Sequence, residues 1–559
     1  MRESGAAPGR GGEGEERRPA LFRHFVYVYL VLLGLLLLAL LPPLVNVNRF
    51  QRRIATSIGE SLGRPVHLDS VSLRLLPLPG FTLVNLVVAE DPGFGSEPVI
   101  RANEVQATLR LRSLWSRRVE FSTITFKEPS VNLVHRADGK WNVEGILMQA
   151  SRIEAAPTAQ AKAGPAPRFP YIEATGARVN LKQGMEKLPI ALTEADFALW
   201  LPSPQEWRLR LQGRPARTDT NASDTGIFQM EGTLGHAGSL LEVPIRLSGE
   251  WRNAPLGEAS RVVTGRDMGL RGQVTLSATV KGTVGESAVE VKLKLGDARR
   301  ADFVPERALN VEMECLGNAS EAFHTFDEVR CSWPPAGATG LLGGAGPQML
   351  AVLGSVPDVR RMELATVEVG SPGVPAGTLL DWLRIASTRM PPDLTAVGTM
   401  SASFTYDHGW TGRMAGTGLG LSSSRTGLGV LTLGEVGLQS VAAVNGSGKR
   451  GHMVEAIPAG GFVLAPVLLA LGDGPPALLE GRFDGAGYTL HLTGMAEFSK
   501  LLALGAAVPQ FGDGLAEALP EDRGKGPTRV DLTATRSWGG GQVWREGGLR
   551  VVAKPARRR

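Results

Sequence analysis

The chain has 559 residues, with 60 Lys and Arg against 55 Asp and Glu and a net charge of +5. An apolar share of 43% with 21% charged residues excludes a wholly disordered chain and a polytopic membrane protein, while 70 glycines and 37 prolines exclude an all-helical fold and suit many short strands with tight turns. The small charge surplus is no footprint for nucleic acid, and two cysteines exclude a disulfide-dense scaffold and a four-cysteine zinc site.

Residues 1–24 read as a polar tail, and Phe25 to Val45 as an apolar run broken only by Gly34 and the Pro42-Pro43 pair. A run of this length crosses a hydrocarbon core of about 30 Å as a helix. Tyr27 and Tyr29 sit near one end, where interfacial aromatics are expected. The rival, a cleavable signal peptide, needs a shorter apolar core and a small-x-small site, whereas Pro42, Pro43, Leu44, Val45 and Asn46 follow here. The expectation is an uncleaved signal-anchor over 25–45. Arg17, Arg18 and Arg23 before it nearly balance Arg49, Arg52 and Arg53 after it, so charge leaves the orientation open.

In the next region, 46–153, Phe50, Ile54, Ile58 and Leu62 recur every four residues, predicting an amphipathic helix stopped at Gly63. The period then changes to two. Val71, Leu73 and Leu75 alternate with polar residues, as do Val105, Ala107, Leu109 and Leu111, and Val119 with Phe121 leads a further run; Asp138-Gly139 supplies a turn. Three pieces in this order are distinctive: LGRPV (Leu62 to Val66), the Leu-Pro-rich turn before Gly80, and EPSVNL followed by DGKWNVEGIL. In order and spacing they resemble the N-terminal domain of the AsmA family over about ninety residues. The resemblance implies a bacterial inner-membrane protein with one N-terminal span and a large periplasmic part, similar to bridge-like lipid transfer proteins whose β-sheet curls into an apolar groove. It implies the periplasm for the bulk of the chain, phospholipid and the inner membrane as partners, and outer-membrane assembly proteins as further candidates.

Residues 154–170 are rich in Ala and Pro without a period and read as a linker; 334–347, dense in Gly, reads as a second break. The flanking regions, 171–333 and 348–559, are β-rich. Val274, Leu276, Ala278 and Val280 share one phase and Val289, Val291, Leu293 and Leu295 another, with Glu290, Lys292 and Lys294 on the opposite face. The candidate lipid-facing residues are therefore Val274, Leu276, Val280, Val289, Val291, Leu293 and Leu295. TLSAT (Thr275 to Thr279), TMSAS (Thr399 to Ser403) and DLTAT (Asp531 to Thr535) each follow a short helical segment, at Leu256 to Val263, Thr378 to Arg389 and Phe498 to Gly505, which suggests an internal helix–strand repeat. In the second segment Thr378 and Asp381 have capping-box-like spacing, and Leu379, Leu383 and Ala386 mark one face. The expected fold class is mainly β with short helices: an N-terminal transmembrane helix, then a long curved antiparallel sheet, groove-like, with repeated helix–strand units.

No motif for chemistry survives its context. Gly59-Glu60-Ser61-Leu62-Gly63 fits a nucleophile elbow, but a helix precedes the serine and a strand follows, the reverse of what the elbow needs. Gly446-Ser447-Gly448-Lys449 lacks the first glycine of a phosphate loop and has Arg450 where a magnesium-binding Ser or Thr belongs; Gly416, Gly418 and Gly420 miss dinucleotide spacing. Both read as turns. The eight histidines are dispersed, and His324 with Asp327 and Glu328 reads as a solvated loop. No catalytic, cofactor-binding or metal residues are assigned, and no cofactor is expected. Cys315 and Cys331 share the apolar phase of neighbouring strands; a structural disulfide, suited to an oxidising compartment, is the expectation, and two buried thiols are the alternative.

The function expected is passive conduction of phospholipid along an apolar β-face, supporting outer-membrane assembly and lipid homeostasis, without enzyme activity. At about 10 to 12 residues per strand and 4.8 Å per strand, the sheet stays below roughly 200 Å, so a partner or a local role is expected. The alternatives are an anchored regulatory scaffold built of closed β-sandwiches and a periplasmic hydrolase. Lipid species, transport direction, reach to the outer membrane and oligomeric state have no signature in the sequence.

Overall fold

The computed structural model describes residues 25–34, 36, 51–75, 78–110, 121–146, 170–203, 206–222, 224–335, 349–388, 390–441, 461–519, 526–538 and 543–546. Residues 25–34 are helical, and Phe25, Val26, Tyr27, Val28, Tyr29, Leu30, Val31 and Leu32 are all exposed. Among the described residues no helix is long and apolar enough to cross a membrane, and most of the remainder of the expected 25–45 span lies outside them. The chain divides into two compact units between Lys187 and Leu188, one strand beyond the Ala/Pro-rich segment at 154–170.

In the first unit, helix α1 (Gln51–Leu62) precedes strands β1 (Val66–His67), β2 (Ser70–Arg74), β3 (Gly80–Val88), β4 (Ile100–Leu109), β5 (Phe121–Lys127), β6 (Ser130–His135) and β7 (Tyr171–Gln183). The four-residue spacing in α1 has a plain outcome: Ile54, Ile58 and Leu62 pack on the sheet residues Leu68, Val71, Leu83, Leu86 and Val105. The helix stops where Gly63 takes φ +66°. β1 and β2 both pair with β3, β3 with β4, and β4 with β5 and β6, all antiparallel. β5 and β6 are two halves of one line, interrupted at Glu128 (φ +46°) and Pro129, because proline has no N–H for the ladder.

The expectation of a purely antiparallel sheet is corrected here. β7 runs parallel to both halves, Phe126 opposite Ala174 and Val131 opposite Val179. Parallel neighbours need a long crossover, and the segment between His135 and Tyr171 provides it.

The pieces that carry the family resemblance converge on one buried polar network. Asn142 is fully buried; its Oδ1 accepts from the Val134 N–H at 3.0 Å, and its Nδ2 donates to Glu90 Oε2 at 2.5 Å and to the Asn132 carbonyl at 2.8 Å. Arg64, from LGRPV, donates to the Asn142 carbonyl at 3.1 Å and pairs with Asp91 at 3.1 Å. Asn132, from EPSVNL, donates to the Pro98 carbonyl and accepts at its Oδ1 from Asn180 of β7 at 3.1 Å. Each group spent in this network would cost free energy if left unpaired away from water, so the network fixes the 140–146 segment, β6 and β7 in one register.

The second unit is a single antiparallel meander. Its strands are β8 (Glu186–Ser203), β9 (Glu206–Arg217), β10 (Ile227–Gly235), β11 (Pro244–Pro255), β12 (Leu270–Thr283), β13 (Glu286–Arg300), β14 (Leu309–Ser320), β15 (Thr325–Trp333), β16 (Leu350–Val356), β17 (Thr366–Pro375), β18 (Thr395–Asp407), β19 (Trp410–Ser423), β20 (Leu428–Ser440), β21 (Phe462–Leu469), β22 (Ala477–Phe483), β23 (Gly487–Ala496), β24 (Thr528–Ser537) and β25 (Val543–Glu546). Every strand pairs with its successor in the chain. β15 and β16, which flank the Gly-rich 334–347 segment, pair with each other, so the regions on its two sides belong to one sheet; most of the segment itself lies outside the described residues.

Helices interrupt the meander at fixed intervals: α2 (Leu256–Thr264) between β11 and β12, α3 (Ala376–Ala386) between β17 and β18, and α4 (Phe498–Ala507) between β23 and β24, followed by the short α5 (Pro509–Gly512) and α6 (Leu515–Ala518). Six strands separate each of the three from the next. α2 and α3 open after a proline, Pro255 and Pro375, so the capping-box reading at Thr378 is corrected: Thr378 lies inside the helix, and Asp381 pairs with Arg384 at 2.7 Å instead. α2 ends at Gly265 (φ +82°), and Arg217 donates to the carbonyls of Val262 and Val263.

Beside α2, register shifts line up across neighbouring strands between Trp251 and Ala254, Arg271 and Gln273, and Leu295 and Ala298; beside α3 they recur between Ser371 and Val374, and Val397 and Thr399. Gly416, Gly418 and Gly420, read from sequence as a turn, lie inside β19; Gly418 takes φ +59° where the register shifts toward β20. A bulge asks for glycine as a turn does, which is why the two look alike in sequence.

One stability prediction follows from the buried network. Asn142→Ala should destabilise the first unit by about 2–3 kcal/mol, by removing the partner of the Val134 N–H and of Glu90 Oε2. The exposed Lys140→Ala should stay within about 0.5 kcal/mol. Protease resistance of the first unit across a urea series, in the full chain, reads both; equal midpoints for the two variants would contradict the role given to Asn142.

Candidate functional site

In an antiparallel sheet, residues directly opposite one another share a face. Val280 stands opposite Val289, Ala278 opposite Val291, Leu276 opposite Leu293, and Val274 opposite Leu295, so the seven candidate residues lie together on one face of β12 and β13. The face continues in both directions. Toward β8 it takes in Leu247 and Trp251, then Phe228 and Met230, then Leu211, then Phe197. Toward β18 it takes in Met313 and Cys315, then Cys331, Val352, Val369 and Phe404. Beyond Phe404, Met414, Leu438, Leu464, Leu490 and Ala534 carry it to β24.

The opposite face is polar. Lys292 lies between Glu290 and Glu314 at 2.6 and 3.2 Å, Lys294 meets Glu312 at 2.5 Å, and Arg210 meets Glu231 at 3.0 Å. The hydrogen bond from Lys292, with its charge, holds the Glu290 carboxyl below its ordinary range, and the two glutamates raise the Lys292 ammonium. These pairs are open to solvent and contribute little to stability; what they fix is which side of the sheet meets water.

Three things cover parts of the apolar face. Leu256 and Ala259 of α2 pack over Ala254, Val274, Leu293 and Leu295, leaving Val274 only 6% exposed. Trp382 and Ile385 of α3 pack against Ala298 and Leu309. Around β23 and β24 the face is buried under Phe498 and Leu501 of α4 and Leu515 of α6, which reach Leu490, Leu492 and Leu532. Between these helices no second sheet lies over the face among the described residues. Leu276 is 37% exposed there, and Val280, Val289 and Val291 are half-buried, with only their own neighbours for cover. Of the seven candidates, Val274, Leu293 and Leu295 thus meet α2, and the other four lie in the uncovered stretch.

Cys315 and Cys331 face each other across β14 and β15 and are bonded, S–S 2.07 Å, in the middle of this face. Sequence reasoning missed Phe228, Met230, Trp251 and Phe404 as members of the face. Each sits in a strand whose alternation is diluted by glycine, and only the register brings it into line.

Among the described residues no group of three or more His, Cys, Asp or Glu could hold a metal ion. His324 hydrogen-bonds the Glu321 carbonyl and the Arg360 guanidinium in an exposed turn. α1 precedes the strands around Ser61, opposite to the elbow arrangement, and the Gly446 to Lys449 stretch lies outside the described residues.

Fold and face define a β protein whose main sheet offers one long apolar surface. The model of the AsmA family matches residues 23–182, the stretch that contains the pieces carrying the resemblance. No curated protein and no solved structure matches the chain.

The cysteine bond gives a direct test. Alkylation of the denatured, unreduced protein should leave Cys315 and Cys331 unlabelled, and reduction should expose both. The bond closes a loop with fifteen residues between the cysteines, for which the chain-entropy model gives about 3 kcal/mol. The Cys315→Ser, Cys331→Ser double variant should therefore melt earlier than the parent, and labelling without reductant would show two thiols instead.

Proposed function

We propose that this protein is a passive, membrane-anchored lipid-binding conduit, in which phospholipid acyl chains lie along the apolar face of the second unit. The observation that carries the reading is the continuity of that face from β8 to β18, covered only in part, by α2 and α3. An apolar surface of this extent needs an apolar occupant, since each methylene taken from water contributes about 0.8 kcal/mol. Shifting a chain from one strand to the next exchanges like contacts for like, so movement along the face needs no nucleotide. Seventeen steps of about 4.8 Å give a path of roughly 80 Å across the second unit.

The AsmA match and the helix at 25–34, apolar and exposed from Phe25 to Leu32, support anchoring in the bacterial inner membrane. The Cys315–Cys331 bond fits the periplasm, and outer-membrane assembly and lipid homeostasis are the processes such a conduit would serve. The closed-sandwich scaffold would need a second sheet over the apolar face, and in the second unit each strand is spent on pairing with its chain neighbours. A hydrolase would need a catalytic constellation on that face, which carries aliphatic and aromatic side chains instead.

Two measurements test this. A photo-crosslinking residue at Leu276 or Val291 should capture phospholipid in cells, and one at Lys292, one residue out of phase, should not. Val291→Asp should leave protein levels near normal, because water reaches the half-buried site, while reducing lipid capture at Leu276 several-fold. Loss of the protein together with no capture at either apolar position would favour the scaffold. For topology, a reporter active only in the periplasm should be active when fused after Arg559 and inactive near Ala20; the reverse would remove the periplasmic placement.

A further inference from the structure

The apolar face changes character along the length of strands β18 to β24. At one end of these strands lie α3 and α4 with their aliphatic contacts, Leu380, Leu394 and Leu501. At the other end the same face carries rings. Tyr406 and Trp410 stand opposite each other at the tip of the β18–β19 hairpin, centroids 5.3 Å apart. Phe404 meets Phe462 edge-on at 5.7 Å. That contact spans two intervening strands and is possible because Gly412, opposite Phe404, has no side chain; a Cβ there would sit 2.9 Å from the Phe404 ring. Phe483 and Tyr488 follow across the next hairpin at 5.9 Å, and Trp538 closes the band at 5.9 Å from Tyr488. Trp410 is 45% and Trp538 57% exposed, whereas Tyr488 between them is 6% exposed. The band is thus apolar in body and wet at its ends, and polar turn residues, Asp407, His408 and Asp484, lie immediately beyond it.

Rings with a polar tip are the side chains suited to a boundary between hydrocarbon and water. The chain has only five tyrosines; Tyr27 and Tyr29 lie in the apolar N-terminal helix, and Tyr406 and Tyr488 in this band. Along β18, Tyr406 is six residues from Met400, which stands opposite Val374 just before α3. Six residues of strand span about 20 Å, against about 15 Å for the hydrocarbon of one bilayer leaflet. An acyl chain therefore fits between the aromatic margin and α3.

We propose that phospholipid on this face, from β18 up to the part that α4 and α6 close over, lies with its glycerol and headgroup at the aromatic margin and its acyl chains pointing toward α3 and α4. The inference rests on the lipid-binding reading and adds the orientation of the lipid across the strands.

The test uses the full-length protein and vesicles of palmitoyl-oleoyl phosphatidylethanolamine and phosphatidylglycerol. p-Benzoylphenylalanine is placed at Tyr406, at Trp410 or at Met400, and fragmentation of the photo-adducts locates the attachment on the lipid. Attachment at Tyr406 and Trp410 is expected on the glycerol, headgroup or first acyl carbons, and at Met400 on the terminal half of the chains. Attachment in the opposite order, or the same distribution at all three sites, overturns the orientation while leaving lipid binding standing. So does capture of protein and no lipid at Trp410 with lipid still captured at Met400. No lipid adduct at these sites or at Val291 would instead remove the lipid-binding reading and this inference with it.

Discussion

Everything in the second unit depends on register between adjacent antiparallel strands. A strand shows alternate residues to alternate faces, so a sheet has one apolar side only if each strand enters the ladder in phase with its neighbour. Here the phase holds from Phe197 through Met230, Ala278, Val291, Cys331 and Val369 to Phe404, although the contributing strands span more than 200 residues. Beside α2 and α3 the irregularities are gathered into rows at one end of the strands, and there each bulge is matched in the next strand. The added twist at such a row bends the strand ends, and α2 and α3 fold back onto the apolar side there. Other shifts occur away from these rows, as between Leu316 and Asn318 and between Phe326 and Val329, and the stretches between them keep the alternation.

The two units use different means to reach order. The first has a helix laid on a small mixed sheet and a polar network at Asn142 that admits one arrangement of several segments. The second has few such pins in its middle: a disulfide across β14 and β15, ion pairs on the polar face, and helices at intervals. A long sheet that kept its own apolar side fully packed would have no surface left for a ligand. The larger unit is accordingly held by backbone pairing more than by a core, and its most densely buried cluster is where α4 and α6 close over β23 and β24.

Much of this was legible in the chain, for physical reasons that also mark where legibility ended. The alternation in Val289 to Leu295 and the four-residue period in α1 are local, and the structure places those residues together as the periods require. Cys315 and Cys331 shared a phase that a reader of either strand could see. The parallel pairing of β7 was hidden because nothing local distinguishes a parallel from an antiparallel partner. The network of Arg64, Glu90, Asn132 and Asn142 was hidden because single polar residues carry no period; only its sequence pieces stood out, without their purpose. Phe404 and Phe462 lie 58 positions apart and meet across three ladders and past a glycine, an arrangement that no spacing rule anticipates.

The interval between the helices has a consequence for how such a protein can change in length. Six is an even number, so a block of six strands begins and ends with the chain running the same way, and its helix falls on the same margin as the one before. Inserting or deleting a whole block would leave each hairpin tip, each helix and the apolar side where they were, with one new seam to satisfy. Loss of a single strand would reverse every strand after it and carry α3 or α4 to the opposite margin. The sheet is therefore built to grow or shrink in one size of step, and its reach is a count of blocks.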